Sequence, residues 1–218
     1  MSRVMPNKPL TLFRFRLSGH SHRVELFLSL LGLPFEMIEV ELGRGETKTP
    51  EFLAKNAFGQ VPVLRDGDIV LADSNAILVY LASSRDPERR WYPTAPEQAA
   101  AIQRWLSVAA GPLLAGPGYA RLVGIFNAKR DLTSAHTTAR QLFDVMDGHL
   151  QTQGGFFVGA RPTIADVALY TYTAHAPEGH ISMEPYPAIR AWLQAMESLP
   201  GFVPMVRTEP RFGLQENT

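Results

Sequence analysis

The sequence predicts an α/β domain followed by an all-α helical domain, and three observations lead to that fold class. Apolar residues in the first third change spacing repeatedly, from every second residue to every third or fourth and back. The pair Asp66-Gly67 sits between two short apolar runs, the pattern of a tight β-hairpin. Beyond residue 96 the apolar spacing is helical throughout, and residues 84–96 before it are rich in charge and proline.

The first strand is expected over residues 10–17, where Phe13, Phe15 and Leu17 alternate with Arg14 and Arg16; that basic face is unusual for a central strand. Val24, Phe27, Leu28 and Leu31 then fall at helical spacing, and Gly32 with Pro34 ends the helix. Ile38, Val40 and Leu42 alternate with Glu39 and Glu41 as a second strand, which closes a βαβ unit. A polar loop over 43–48 and a short helix over 50–55 follow, then strands over 61–64 and 69–71 around the Asp-Gly turn. Ala76, Ile77, Tyr80 and Leu81 mark the next helix. The order β-α-β-α-β-β-α gives a first domain over residues 1–84, a linker over 85–96 and a helical domain over 97–218. Helices are expected there over 99–114, 132–150, 163–173 and 188–199, with Gly116-Pro117-Gly118 as a break between helices.

Composition narrows the function. The 218 residues are 45% hydrophobic and 19% charged, enough to bury real cores. Lys plus Arg and Asp plus Glu both number 21, so no net field draws nucleic acid or an anionic membrane. Residues 1–9 lack the apolar core of a signal peptide, and no run approaches the roughly 20 apolar residues of a membrane span; a cytoplasmic protein is expected. Cysteine is absent, which excludes disulfides, cysteine nucleophiles and thiolate metal sites. Any thiol chemistry needs an imported thiol.

Three segments carry candidate chemistry. In Gly59-Gln60-Val61-Pro62-Val63-Leu64 a proline opens a buried strand; the dipeptide alone favours a trans bond at a strand edge, and a cis bond is the alternative. Asp73-Ser74 opens a helix, where free N–H groups favour an anion while Asp73 suits an ammonium, so the pair fits an α-amino acid group; a plain cap is the other reading. Between the first strand and first helix, Ser18 or Ser21 caps the helix; we assign the cap to Ser21, which leaves Ser18 to donate to a thiolate. His20 and His22, two apart, share no helix face and are expected to be solvated; no metal is expected. A serine-hydrolase reading lacks the Gly-x-Ser-x-Gly elbow. Thr163-Ile164-Ala165-Asp166 reads as a structural capping box with a buried Asp166, and Phe156, Phe157 and Trp192 read as core.

In order and spacing, Ser18 through Val24, Phe58 through Leu64, Ala72 through Ile77, Val158 through Asp166 and Tyr186 through Ile189 with Trp192 resemble the cytosolic glutathione transferase family, in particular bacterial members with a theta-like serine site. The resemblance implies a thioredoxin-like N-terminal domain that binds glutathione, with an all-α helical-bundle domain that helps form an apolar second-substrate pocket. By the same resemblance Ser18 stabilises the thiolate, Val61 holds the cysteinyl backbone and Pro62 is cis. Asp73 and Ser74 bind the γ-glutamyl ammonium and carboxylate, with help from Gln60. Theta-like members often carry a histidine where this chain has Thr47 and Lys48, which makes Lys48 the candidate for the glycyl carboxylate. A homodimer is implied, with Phe58 as a possible interface anchor. The implied reaction is attack of the thiolate on a small electrophile. Alternatives are a glutathione-dependent peroxidase or disulfide reductase, an isomerase or dehalogenase, and a non-catalytic binding or regulatory module. Arg14 and Arg16 are not explained by the resemblance.

Overall fold

The computed structural model describes residues 9–210; the outer ends of both predicted domains, 1–8 and 211–218, lie outside the described residues. Strand β1 (Leu10–Arg14) leads to helix α1 (Gly19–Leu30) and strand β2 (Phe35–Glu39), which pairs with β1 in parallel. A four-residue helix, α2 (Pro50–Leu53), precedes strands β3 (Val63–Asp66) and β4 (Ile69–Ala72) and helix α3 (Ser74–Ser84). The sheet order is β2-β1-β3-β4, with β3 antiparallel to both of its neighbours. Helices α4 (Pro96–Ala110), α5 (Tyr119–Phe126), α6 (Leu132–Gln153), α7 (Ile164–Ala174) and α8 (Pro187–Glu197) form the second part. The expected fold class, mixed-sheet α/β followed by all-α, is the one observed.

Alternation along β1 decides what each face of the sheet meets. Leu10 and Leu12 point to the face covered by α1 and α3, while Phe13 points to the other, where it packs with Val40, Phe52 and Val63. The larger core does not stop at the first domain. Leu12, Phe27 and Ile77 belong to one apolar cluster with Val167, Leu169 and Trp192, because α1 and α3 both pack on α7. Burying a helix on two sides removes it from water along most of its circumference, which explains why residues 24 and 26–28 of α1 are all fully enclosed.

Several boundaries differ from expectation. Strand β1 stops at Arg14 because the chain turns at once, with the Ser18 N–H donating to Phe15 C=O at 2.9 Å. Strand β2 starts three residues earlier than the alternation suggested, since it is an edge strand whose Met37 and Ile38 face outward; only Val40, just past it, is buried. The basic face of β1 is also accounted for. Arg14 pairs with Glu25 of α1 and Glu39 of β2, so strand and crossover helix are joined by charge as well as by packing. Gly116-Pro117-Gly118 is not a break. Residues 114–118 form a π-helical turn that runs straight into α5, and the chain breaks instead at Gly111. Gly116 is required there by proximity, because a Cβ would lie 2.8 Å from the Ala139 backbone of α6.

The capping box of α7 is present as expected. Thr163 accepts from the Ala165 N–H, and the buried Asp166 accepts from Phe157 N–H at 3.0 Å, Thr163 N–H at 2.8 Å and Trp192 Nε1 at 3.0 Å. After α8 the chain returns across α1: Ser29 Oγ donates to Gly201 C=O at 2.6 Å, and His22 Nε2 to Val203 C=O at 2.9 Å. Among the described residues no helix is long and apolar enough to cross a membrane.

Candidate active site

The N-terminus of α1 is the centre of the site, and the residue that caps it is Ser18. Its Oγ accepts from the Ser21 N–H at 3.2 Å, which corrects the assignment of the cap to Ser21. Ser21 is buried and its Oγ instead accepts from the Phe15 N–H at 3.3 Å, fixing the turn that ends β1. A hydroxyl carries one proton and two lone pairs, so a capping Ser18 that accepts one hydrogen bond still has its proton to donate. Capping and donating are therefore compatible in one residue.

Opposite α1, the loop before β3 is shaped by Asn56 and Gly59. Buried Asn56 donates to Gln60 C=O at 2.8 Å and accepts from the Phe58 N–H at 3.0 Å. Gly59 has φ +59°, and a Cβ there would meet Thr47 C=O at 2.7 Å. The Val61–Pro62 bond is cis. Val61 lies just outside the ladder, which begins at Val63, and its side faces the cavities described below. Lys48 Nζ reaches the carbonyls of Phe58 and Gly59 at 3.5 and 3.3 Å, beside the loop but outside the lining of either cavity. Phe58 itself is 80% exposed.

At α3 the cap is Asp73, whose carboxylate accepts from the Ala76 N–H at 2.9 Å, and Ser74 is the first helical residue. Asp73 holds φ +71°, a conformation that costs a non-glycine residue on the order of 1–3 kcal/mol and is found disproportionately at ligand sites. Ser74 is buried and takes a 2.8 Å hydrogen bond from Arg23 Nη1.

Two adjoining cavities bring these residues together. The smaller, about 160 Å³, is lined by polar and apolar groups in similar measure, among them Arg23, Gln60, Val61, Pro62, Asp73 and Ser74. The larger, about 890 Å³, has Ser18 on its wall with Phe15, Leu42, Tyr119, Phe126 and Tyr172. His20, Gln60, Val61 and Leu114 line both. All of the expected site residues except Lys48 thus line one of two connected spaces.

Residues 8–83 match the glutathione S-transferase N-terminal domain and residues 93–200 the glutathione S-transferase C-terminal domain. The chain belongs to the glutathione S-transferase family. It is 34% identical to glutathione S-transferase 3 of Zea mays over 215 residues, covering 93% of this chain and 95% of the relative. Human glutathione S-transferase theta-2 is 29% identical over 204 residues, 88% of this chain and 82% of that one. A glutathione S-transferase from Pseudomonas fluorescens Pf-5 superposes with a TM-score of 0.85 at 32% identity, covering 91% of this chain and all of that structure.

Within this transferase fold the histidines depart from expectation. His22 is fully buried, and His20 is half-buried where the two cavities meet. His22 is buried between Thr171 Oγ1 and Val203 C=O, both at 2.9 Å, and burial pushes its imidazole down to about 4. His20 lies 3.2 Å from Ser74 Oγ and edge-on to Tyr172; burial first, then the neighbouring Arg23, push it down to about 3, so the ring is neutral at pH 7. Tyr172 closes over the start of α1 so tightly that a Cβ on Gly19 would stand 2.8 Å from its ring. Arg16, unexplained by sequence, has its side chain on the wall of the larger cavity, and its N–H donates to Glu39 at 2.5 Å. Arg23 was not anticipated, although its spacing of three from His20 puts both on one face of α1.

Proposed function

We propose that this family member is a glutathione transferase of serine type, in which the Ser18 hydroxyl donates a hydrogen bond to the glutathione thiolate. The observation that carries this reading is the placement of Ser18 at the N-terminus of α1, on the wall of the large cavity. A thiolate there meets both a hydroxyl donor and the positive end of the helix dipole, and each favours the ionised form. Asp73 and Ser74, in the adjoining smaller cavity, suit the opposite charges of the γ-glutamyl group. Val61 holds the cysteinyl backbone beside Pro62, and Gln60 assists where the cavities join. The larger cavity, walled by Phe15, Tyr119 and Phe126, suits a small, largely apolar electrophile. We place the glutathione-binding unit at residues 1–84, the linker at 85–96 and the helical unit that completes the second-substrate pocket at 97–218.

The test is an ultraviolet titration of the bound thiolate. Wild type is expected to lower the thiol pKa by roughly 1–2 pH units. Ser18→Ala is expected to restore the free value and lower kcat/KM on the order of 10²-fold, the scale of losing one donor to a developing charge. Tight binding without a thiol shift favours a non-catalytic binding module, and a shift that survives in Ser18→Ala removes the serine from the chemistry.

Lys48 is assigned the glycyl carboxylate because its ammonium stands beside the Gly59 loop. An exposed ion pair is weak, so Lys48→Ala is expected to raise the KM for glutathione only about two- to fivefold; an unchanged KM assigns the carboxylate elsewhere. A homodimer is proposed on the exposure of Phe58 at the tip of that same loop. Sedimentation of Phe58→Ser is expected to show at least about tenfold weaker self-association, and a monomeric wild type rejects the assignment.

A further inference from the structure

We propose that Arg23 is a positioning residue for glutathione: its buried guanidinium holds Ser74 and neutralises the γ-glutamyl carboxylate that Ser74 receives. The inference rests on the glutathione reading above and extends it to a residue outside that set.

Arg23 is one of the largest fully buried side chains, on the face of α1 turned toward α3. Its Nη1 donates to Ser74 Oγ at 2.8 Å and to Asn75 Oδ1 at 2.9 Å, and lies 3.3 Å from His20 Nδ1. Nε and Nη2 have no hydrogen-bond partner among the described residues, and no carboxylate there forms an ion pair with this arginine. Asp73, at the rim, acts on it only through space. A buried cation with two unsatisfied donors is expensive, and a core gains nothing by keeping one. Where it does persist, an anion that arrives from outside is the natural complement.

The smaller cavity is where that anion arrives, since Arg23 lines it together with Asp73 and Ser74. Arg23 fills one lone pair of Ser74 Oγ, so the hydroxyl proton must turn away from the guanidinium. His20 Nδ1, 3.2 Å away on a neutral ring, can accept it. An entering carboxylate competes with His20 for that proton and meets the field of Arg23 behind the serine. Asn75, which accepts from Arg23 and donates to Leu106 C=O of α4 at 2.9 Å, keeps the guanidinium in place. The charge therefore acts through Ser74 on one specific group of the ligand.

The experiment is a two-by-two comparison by calorimetry, with wild type and Arg23→Met against glutathione and its analogue whose γ-glutamyl α-carboxylate is a neutral carboxamide. Wild type is expected to prefer glutathione on the order of 10- to 100-fold, the scale of one charge-assisted contact. In Arg23→Met that preference is expected to fall to within about threefold, while the ligand-free protein unfolds at an equal or higher temperature. Arg23→Lys keeps the charge without the planar fork, and is expected to restore part of the preference. An undiminished preference in Arg23→Met overturns the role of Arg23 alone. If Arg23→Met does not fold, a preference reduced in folded Arg23→Lys and lost in folded Arg23→Gln supports the role of the charge, and an unchanged one in both overturns it. A wild type that binds neither ligand overturns this inference together with the glutathione reading, and a wild type that binds both equally overturns only this inference.

Discussion

Asp166→Ala is expected to destabilise the protein by at least about 3 kcal/mol, because it strips acceptors from several buried donors at once. The carboxylate takes hydrogen bonds from Phe157 N–H, Thr163 N–H, Thr163 Oγ1 and Trp192 Nε1, none of which can reach water. Burial pushes the Asp166 carboxyl above its usual range, and these donors oppose that push. Taking the carboxylate away reverses the balance: the donors remain buried and the loss compounds. For a chain of this length the midpoint of thermal unfolding should fall by about 6–12 °C. Asp166→Asn keeps one acceptor but points an amide N–H at the remaining donors, so it should also lose stability, though less. A midpoint within about 2 °C of wild type in Asp166→Ala, on that same scale, would show that the network is incidental.

Acid should destabilise the fold well before its carboxylates titrate, through His22. In the unfolded chain this imidazole takes up a proton near pH 6.5, whereas burial in the fold delays uptake to about pH 4. The hydrogen bond to Val203 works against that depression, while the positive fields of His175, Arg14 and Arg121 reinforce it. Between those two values the unfolded state binds the extra proton, so stability falls as pH falls, by up to about 1.4 kcal/mol per pH unit. His20, held down to about 3 by burial and Arg23, adds to the same slope. Above pH 6.5 both contributions are fully present and constant. Denaturant unfolding at pH 7, 5.5 and 4.5 reads the slope directly, and His22→Gln should flatten it. A wild-type stability that is level across that window would overturn the prediction.

What the sequence made legible follows from how locally each feature is determined. Helices α3, α6 and α8 were readable because one buried face imposes its period on neighbouring residues, α7 because Thr163 and Asp166 announce its capping box, and the hairpin because Asp66-Gly67 supplies its turn. The candidate site was readable as an ordered set of short segments. What stayed hidden depends on distant partners. The burial of His22 is decided by Thr171 and Val203, 149 and 181 residues further along, and nothing near His22 announces them. The unpaired state of Arg23 likewise needs α3 in place beside α1. The misplacement of β2 has another cause: an edge strand exposes apolar residues, so alternation no longer tells inside from outside. Gly116-Pro117-Gly118 looked like punctuation because close helix packing and chain reversal draw on the same residue types.

The return of the chain across α1 has a consequence for the order in which a ribosome can finish this molecule. Ser18 is made early, but the helix that it caps is fastened by Thr171, Gly201 and Val203, which follow their α1 partners by 149, 172 and 181 residues. Domains tend to settle in the order of synthesis. Here the first one leaves the exit tunnel with a face of α1 still bare, and its proposed catalytic end acquires its final fastening only after the helices of the second part have been made.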